Sequence, residues 1–137
     1  MLKQLIFCTT IALSMSACSL FPNQKDYSKP TNLLFQKKDL SSYSIQVKRD
    51  GKLCNQDTTD KQNCPIKFYI DDFKAGEFYT NNSANYELKE NEYTFKVKNC
   101  TTNCSTSELK VNVNEQLKNK IYILSIDEKN KPFIIKK

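Results

Sequence analysis

Histidine and tryptophan are absent from the 137 residues, and glycine occurs only twice, at Gly51 and Gly76. Without histidine the chain cannot form the Ser-His or Cys-His pair that activates many nucleophiles. Two isolated glycines cannot form a glycine-rich phosphate-binding loop. The adjacent acids Asp71 and Asp72 would face opposite sides of a strand, so a turn explains them better than a pair of catalytic carboxylates does. We therefore predict a protein that is not an enzyme, has no catalytic residues and binds no cofactor.

Arginine is almost missing as well. Arg49 is the only one, although 21 Lys and Arg residues against 15 Asp and Glu give a formal net charge of +6. Nucleic-acid-binding surfaces usually cluster their basic residues and include arginine. Here the lysines are scattered and alternate with acids. This pattern predicts a mildly basic, solvated surface and no nucleic-acid partner.

The apolar run over residues 5–13 is too short to cross a bilayer as a helix. Lys3 precedes this run, and the small residues Ser16 and Ala17 come after it. A basic start, a short apolar run and small residues before a cleavage point are typical of a secretory signal peptide. We predict that residues 1–17 are such a signal peptide.

The end of this segment, Met15-Ser16-Ala17-Cys18, resembles the lipobox of bacterial lipoproteins, with Met15 where that family usually has Leu. The resemblance implies cleavage just before Cys18, which then carries the acyl lipid that anchors the mature protein. Ser19 follows, rather than the Asp associated with inner-membrane retention. An outer-membrane anchor with the domain facing the periplasm is therefore implied, the cell surface being the alternative. Without lipidation, Cys18 would be a free thiol left by ordinary cleavage, or part of a short hydrophobic anchor.

Four further cysteines lie beyond Cys18, at Cys54, Cys64, Cys100 and Cys104. An exported protein meets an oxidising compartment, so an even number predicts two disulfides. We favour Cys54–Cys64 and Cys100–Cys104 among the three pairings, because each closes a short polar loop between strand-like runs. A zinc site made of all four cysteines is the alternative, although their spacing is looser than in a zinc ribbon.

The oxygen-rich residues 57–60 suggest a calcium-binding loop as a second alternative, but they lack the residue order of an EF-hand. We predict no metal.

We predict that residues 18–41 form a lipidated N-terminus followed by a flexible tether. Residues 21–32 are polar and broken by Pro22 and Pro30, and no periodic pattern lasts long enough for a helix. About twenty such residues would let a lipid-anchored domain stand off the membrane. The short apolar run Leu33-Leu34-Phe35 would dock on the domain as an isolated patch.

From residue 42 onward, apolar and polar residues alternate with period two, which predicts half-buried strands separated by turn signals. Residues 121–126 are more continuously apolar, with Ser125 as the one polar residue, and they predict a central strand buried on both faces. The predicted strands are residues 43–47, 66–70, 75–80, 86–88, 93–97, 109–113, 121–126 and 133–135. Residues 42–137 thus predict an all-β domain, a small antiparallel β-sandwich or barrel of about seven or eight strands.

Four aromatic residues, Tyr69, Phe73, Phe78 and Tyr79, fall close together in strands predicted to be neighbours. Phe78 and Tyr79 are consecutive, so in a regular strand they cannot both face the core. A partly exposed aromatic strip would suit a protein or glycan contact, and we predict these four as partner-contact residues. The alternative is an ordinary core with aromatic residues at its edges.

Two further resemblances bear on function. Residues 66–113, with the runs Ile66-Lys67-Phe68-Tyr69-Ile70 and Tyr93-Thr94-Phe95-Lys96-Val97, resemble the PEGA-type β-sandwich repeats of bacterial envelope lipoproteins, which implies a binding or structural module. Ser83-Ala84-Asn85-Tyr86 resembles the reactive segment of lysozyme-inhibitor lipoproteins, which implies inhibition of a cell-wall lytic enzyme. We predict a non-catalytic envelope lipoprotein with a protein partner, for example in a secretion assembly, and keep the inhibitor as the alternative.

Overall fold

Eight β-strands make up the regular structure of the computed structural model, which describes residues 25–118 and 120–137. The strands are β1 (Ser42–Arg49), β2 (Ile66–Ile70), β3 (Phe73–Phe78), β4 (Ser83–Lys89), β5 (Asn91–Cys100), β6 (Cys104–Val113), β7 (Ile121–Ile126) and β8 (Pro132–Lys136). The all-β prediction is confirmed, and each predicted run corresponds to one strand.

The strands form two sheets of four, in the orders β4-β1-β7-β8 and β3-β2-β5-β6. Apolar side chains from both sheets meet in one core, so the predicted β-sandwich is confirmed. Neighbouring strands are antiparallel except β1 and β7, which run parallel. Parallel neighbours need a long crossover connection, and here the five intervening strands supply it.

Alternation along β1, β2, β4 and β5 sends one set of side chains between the sheets. In β2, positions 66, 68 and 70 are buried and those between them are half-exposed. Phe68 lies in the middle of the core, with its ring centroid 5.3 Å from that of Phe95, 5.5 Å from Tyr86 and 6.3 Å from Phe78. Burying a large apolar side chain such as Phe68 stabilises the folded state by about 1.5–3 kcal/mol.

Asp71 and Asp72 form the turn between β2 and β3, as their sequence predicts. Their φ angles of 46° and 62° are both left-handed, as in the two-residue turn that matches the twist of a hairpin. Because this turn needs only two residues, β3 begins at Phe73 and ends at Phe78, two residues earlier than predicted.

Strands β5 and β6 form the longest ladder, with ten residue pairs and no shift in register. Cys100 and Cys104 are the last pair, so these cysteines close a short loop between two strands, as predicted. Strand β7 is central, as predicted, between β1 and β8. Its second face is only partly covered, since Ile121 and Ile123 are half-buried while Tyr122 is buried.

The chain before β1 lies along one open side of the sandwich. We call residues 27–36 the strap. Thr31 and Glu77 exchange backbone hydrogen bonds of 3.0 and 2.9 Å, and the Leu34 N–H donates to the Ala75 carbonyl at 3.1 Å, both on β3. The Glu87 N–H of β4 donates to the Phe35 carbonyl at 2.7 Å. The strap therefore joins the edge strands of both sheets and occupies backbone groups that an open edge would leave unpaired.

Candidate functional site

Both predicted disulfides are formed, and both lie at one end of the sandwich, which we call the disulfide end. Cys54 and Cys64 are bonded and each is 2% exposed. Cys100 and Cys104 are bonded across the β5–β6 turn. A groove lined by residues of the 54–64 loop and by Cys100 shows that the two bridges are close to each other. Because all four sulfurs are in disulfides, the zinc alternative has no thiolates left to use.

The oxygen-rich loop uses Asp57 to hold its own backbone. The carboxylate accepts hydrogen bonds from the backbone N–H groups of Asn63, at 3.0 Å, and Cys64, at 3.1 Å. Among residues 25–118 and 120–137, no three His, Cys, Asp or Glu side chains are grouped so as to hold a metal ion. The loop is therefore closed by a carboxylate cap and a disulfide.

The four predicted contact aromatics fall into two pairs with different environments. Phe73 is 63% exposed at the start of β3, and Tyr69 is half-buried on the outer face with the Lys96 ammonium 5.2 Å from its ring centroid. Phe78 and Tyr79 are both fully buried. The prediction of an exposed strip is therefore wrong for Phe78 and Tyr79.

The strap explains how two consecutive residues can both be buried. Phe78 points into the core, and Tyr79 follows the end of β3 on the outside. Tyr27 covers Tyr79 in an edge-to-face arrangement, with ring centroids 4.8 Å apart. The ammonium of Lys25 lies 5.1 Å from the Tyr79 ring centroid. A hydrogen bond to Tyr79 raises the pKa of Lys25 despite some desolvation.

A polar groove of about 340 Å³ opens beside this contact, with Lys25, Tyr27, Lys67 and Glu77 in its lining. Desolvation alone would raise the pKa of Glu77, but the hydrogen bond and charge of Lys74 outweigh it and hold the pKa below its usual value. The Lys74 ammonium lies 2.7 Å from the Glu77 carboxylate. The Glu77 carboxylate in the groove lining is thus already paired with a lysine, and Tyr27 of the strap forms part of the groove wall.

The opposite end of the sandwich carries a group of exposed apolar side chains. We call it the hairpin end, after the tight β2–β3 turn at Asp71 and Asp72 and the β4–β5 turn at Glu90. Phe73 packs edge-on against Phe35, with ring centroids 6.4 Å apart. Leu34 is 47% exposed and Leu40 is fully exposed. A groove of about 540 Å³ beside them is lined by apolar residues, including Tyr93, and by charged residues of both signs. The sequence signal was the run Leu33-Leu34-Phe35, which predicted docking but not a surface shared with Phe73.

The segment that resembles a lysozyme-inhibitor loop has a different setting here. Ser83-Ala84-Asn85-Tyr86 lies in β4, between β1 and the strap. Tyr86 is fully buried, and its hydroxyl donates a 2.8 Å hydrogen bond to the Ala75 carbonyl. A buried, paired strand residue cannot enter the active-site cleft of an enzyme while the sandwich stays folded.

Arg49, the only arginine, is inside the molecule. It is 3% exposed, and its guanidinium donates to the carbonyls of Phe78, at 2.7 Å, and Cys64, at 3.3 Å. Desolvation lowers its pKa to about 10, so it stays charged at neutral pH. The residue joins the end of β1 to β3 and to the disulfide loop.

Cys18 and the predicted signal peptide lie outside the described residues. Within those residues, no helix has the length and apolar character that a membrane crossing would need. Comparison of the chain with family models, with curated proteins and with solved structures gives no match in any of the three.

Proposed function

We propose that this protein is a non-catalytic lipoprotein of the bacterial cell envelope, anchored in the outer membrane through a lipid on Cys18 and offering its β-sandwich to a protein partner. The residues before and at Cys18 carry the proposal, because a basic start, a short apolar run and a small-residue cleavage point precede a cysteine in that order. The two disulfides support it, since they persist in oxidising compartments such as the periplasm.

The strap sets how far such a domain would stand from the membrane. Because residues 27–36 bond to the domain, only the seven residue steps from Cys18 to Lys25 separate the anchor from the disulfide end. Fully extended, these steps span about 25 Å. The proposed anchor therefore holds the disulfide end toward the bilayer. The hairpin end points away, because the ten residues of β5 extend about 34 Å between the two ends.

This orientation favours the hairpin end as the partner-contact surface. Phe73 is the predicted contact residue that remains most exposed, and Leu34 and Phe35 of the strap lie beside it. Apolar side chains grouped on a surface commonly mark protein contacts. Tyr69 lies on the adjoining outer face of β2.

Photo-cross-linking tests this surface. A photoreactive residue at position 73 should form an adduct with an envelope protein, and one at position 103 should not. Equal adducts at the two positions would remove the partner surface from the proposal.

Metabolic labelling tests the anchor directly. Cells that express the full chain should incorporate a clickable palmitate analogue into it and retain it in the outer-membrane fraction. Cys18→Ser should abolish the label, whereas Cys8→Ser, within the predicted signal peptide, should keep it. Label that survives Cys18→Ser, or an unmodified mature peptide by mass spectrometry, would overturn the anchor.

Fluorescence tests the orientation, because a chain without tryptophan allows single-donor variants. Asn103→Trp places a donor at the disulfide end, and Glu90→Trp places one at the hairpin end. In vesicles that contain a dansyl-labelled headgroup lipid, energy transfer should be clearly stronger from position 103. Stronger transfer from position 90 would reject the orientation without affecting the evidence for lipidation.

A further inference from the structure

The two open sides of the sandwich differ in how their edge strands are covered. On one side the strap bonds to both β3 and β4. On the other side β6 and β8 end their sheets. Strand β6 has ten residues, and within the described part of the chain its ladder is with β5 alone. A long edge strand with unpaired backbone groups is a template for a further strand.

The ladder with β5 determines which backbone groups of β6 point outward. The Asp71 N–H donates to the Thr94 carbonyl at 2.9 Å, so even-numbered residues of β5 direct their backbone groups toward β2. Odd-numbered residues of β5 therefore bond to odd-numbered residues of β6. The Cα atoms of Cys100 and Cys104 are only 4.0 Å apart, as expected for a pair without hydrogen bonds. Even-numbered residues of β6 thus present N–H and C=O groups at the free edge.

We propose that the free edge of β6 is a self-association site, at which two copies of this chain pair antiparallel about a two-fold axis at Leu109. This register places Glu108 opposite Lys110 of the second copy, and the reverse contact repeats it. Both side chains are exposed on the outer face of the sheet, and opposite charges directly across a ladder are stabilising. Both positions also have their backbone groups at the free edge, so they form a hydrogen-bonded pair.

Other two-fold registers pair the charges less well. An axis at Glu108 or at Lys110 puts a like charge directly opposite, which destabilises the ladder. An axis at residue 107 or at residue 111 leaves each charged side chain opposite a neutral one. Leu109 is the centre at which both charges on each copy find a partner of opposite sign.

The side chain of Leu109 supports the same register. It packs against the core but remains half-buried, because β6 is at the edge. At the two-fold axis Leu109 would face its copy as a non-hydrogen-bonded pair, with Cα atoms about 4.5 Å apart, and each would cover the other. Lys110 lies 3.3 Å from Glu92, but both side chains are mostly exposed, and such a surface ion pair costs little to break. The dimer would contain one continuous sheet built from four strands of each copy.

Charge reversal tests the register. Sedimentation velocity of the purified full chain should show a concentration-dependent dimer. Glu108→Lys and Lys110→Glu should each weaken dimerisation roughly tenfold, because two attractive pairs become repulsive, and the double variant should restore it. Lys48→Glu, on the outer strand face of β1, is the matched control and should leave dimerisation unchanged. A wild-type chain that stays monomeric, or a dimer that tolerates both single reversals, would overturn the proposal.

Cysteine cross-linking tests the same pairing without relying on charge. Leu109→Cys should give a covalent homodimer on a non-reducing gel, since two facing positions meet the distance that a disulfide requires. Thr106→Cys and Asn112→Cys should each stay monomeric alone and cross-link when the two variants are mixed, because residue 106 faces residue 112 of the second copy. Cross-linking of Thr106→Cys alone and of Asn112→Cys alone, or of none of the variants in any combination, contradicts the register.

Discussion

Tyr27 lies edge-on against Tyr79, with ring centroids 4.8 Å apart, and the side chain of Asn82 donates a 3.0 Å hydrogen bond to the Tyr27 carbonyl. This contact fixes the first described residues of the chain to the disulfide end. It also buries a tyrosine on the outside of the sandwich. The strap is therefore part of the folded domain, and its first residue, Tyr27, lies at the disulfide end.

Replacing Tyr27 tests how much the strap contributes. Tyr27→Ala should lower the free energy of unfolding by about 1–2 kcal/mol, because an aromatic pair and its buried area are lost. Hydrogen exchange should accelerate at the Glu77 N–H, which donates to Thr31 of the strap. Urea unfolding and exchange mass spectrometry provide the two readings. Lys29→Ala, an exposed change within the strap, is the control; equal exchange at Glu77 in all three proteins would show that Tyr27 does not hold the strap.

The strands and the disulfides could be predicted from the sequence because their signals are local. Alternation with period two marks β2 and β5, and short polar loops between strand-like runs mark the cysteine pairs. The burial of Tyr79 could not be predicted, since it depends on Tyr27, which is distant in sequence and lies in a segment without periodicity. The strap uses backbone hydrogen bonds to Glu77 and Glu87, which leave no pattern in side-chain type. The surface shared by Phe35 and Phe73 was missed for the same reason.

The two disulfides should differ in their effect on stability. Loop closure predicts a loss of about 3 kcal/mol for the longer Cys54–Cys64 loop and about 2 kcal/mol for the Cys100–Cys104 loop. The first pair is also buried beside the core, whereas Cys104 is exposed. Paired Ala replacements, followed by urea unfolding, measure the difference. A larger loss from the Cys100–Cys104 pair would contradict this account.

Gly76 is tightly enclosed, and a side chain there should be costly. A Cβ atom would lie 2.6 Å from the Tyr86 hydroxyl and 2.8 Å from a Phe78 ring carbon. Gly76→Ala should lower the free energy of unfolding by about 1–3 kcal/mol, as overpacking does. Gly51→Ala is the matched control, since its nearest atom would be an Asn81 side-chain oxygen at 3.3 Å. Thermal unfolding of the two variants should separate them clearly; a similar loss in both would point to a general effect of removing glycine.

The Tyr86 hydroxyl should stabilise the fold in a way that depends on pH. Burial raises the pKa of Tyr86 well above its ordinary value of 10.0. Its stabilising effect is therefore complete below pH 10 and is lost as the pH rises further, because only the unfolded chain then ionises readily. Tyr86→Phe should lower the free energy of unfolding by about 1 kcal/mol at pH 8. The loss is small because the Ala75 carbonyl keeps its hydrogen bond from the Leu34 N–H. Above pH 10 the variant should lose less stability than the wild type.

A second variant, Tyr122→Phe, distinguishes the effect of the Tyr86 hydrogen bond from the effect of tyrosine ionisation. Desolvation also raises the pKa of Tyr122, a buried residue that borders a surface groove. Tyr122→Phe should therefore change stability little at pH 8 and should still reduce the loss above pH 10. Urea unfolding of the three proteins at pH 8 and pH 11 gives the comparison. If Tyr86→Phe loses as much stability as the wild type between these pH values, ionisation of the unfolded chain at this residue is not what limits the fold in alkali. The buried hydroxyl would then act through its hydrogen bond to Ala75 alone.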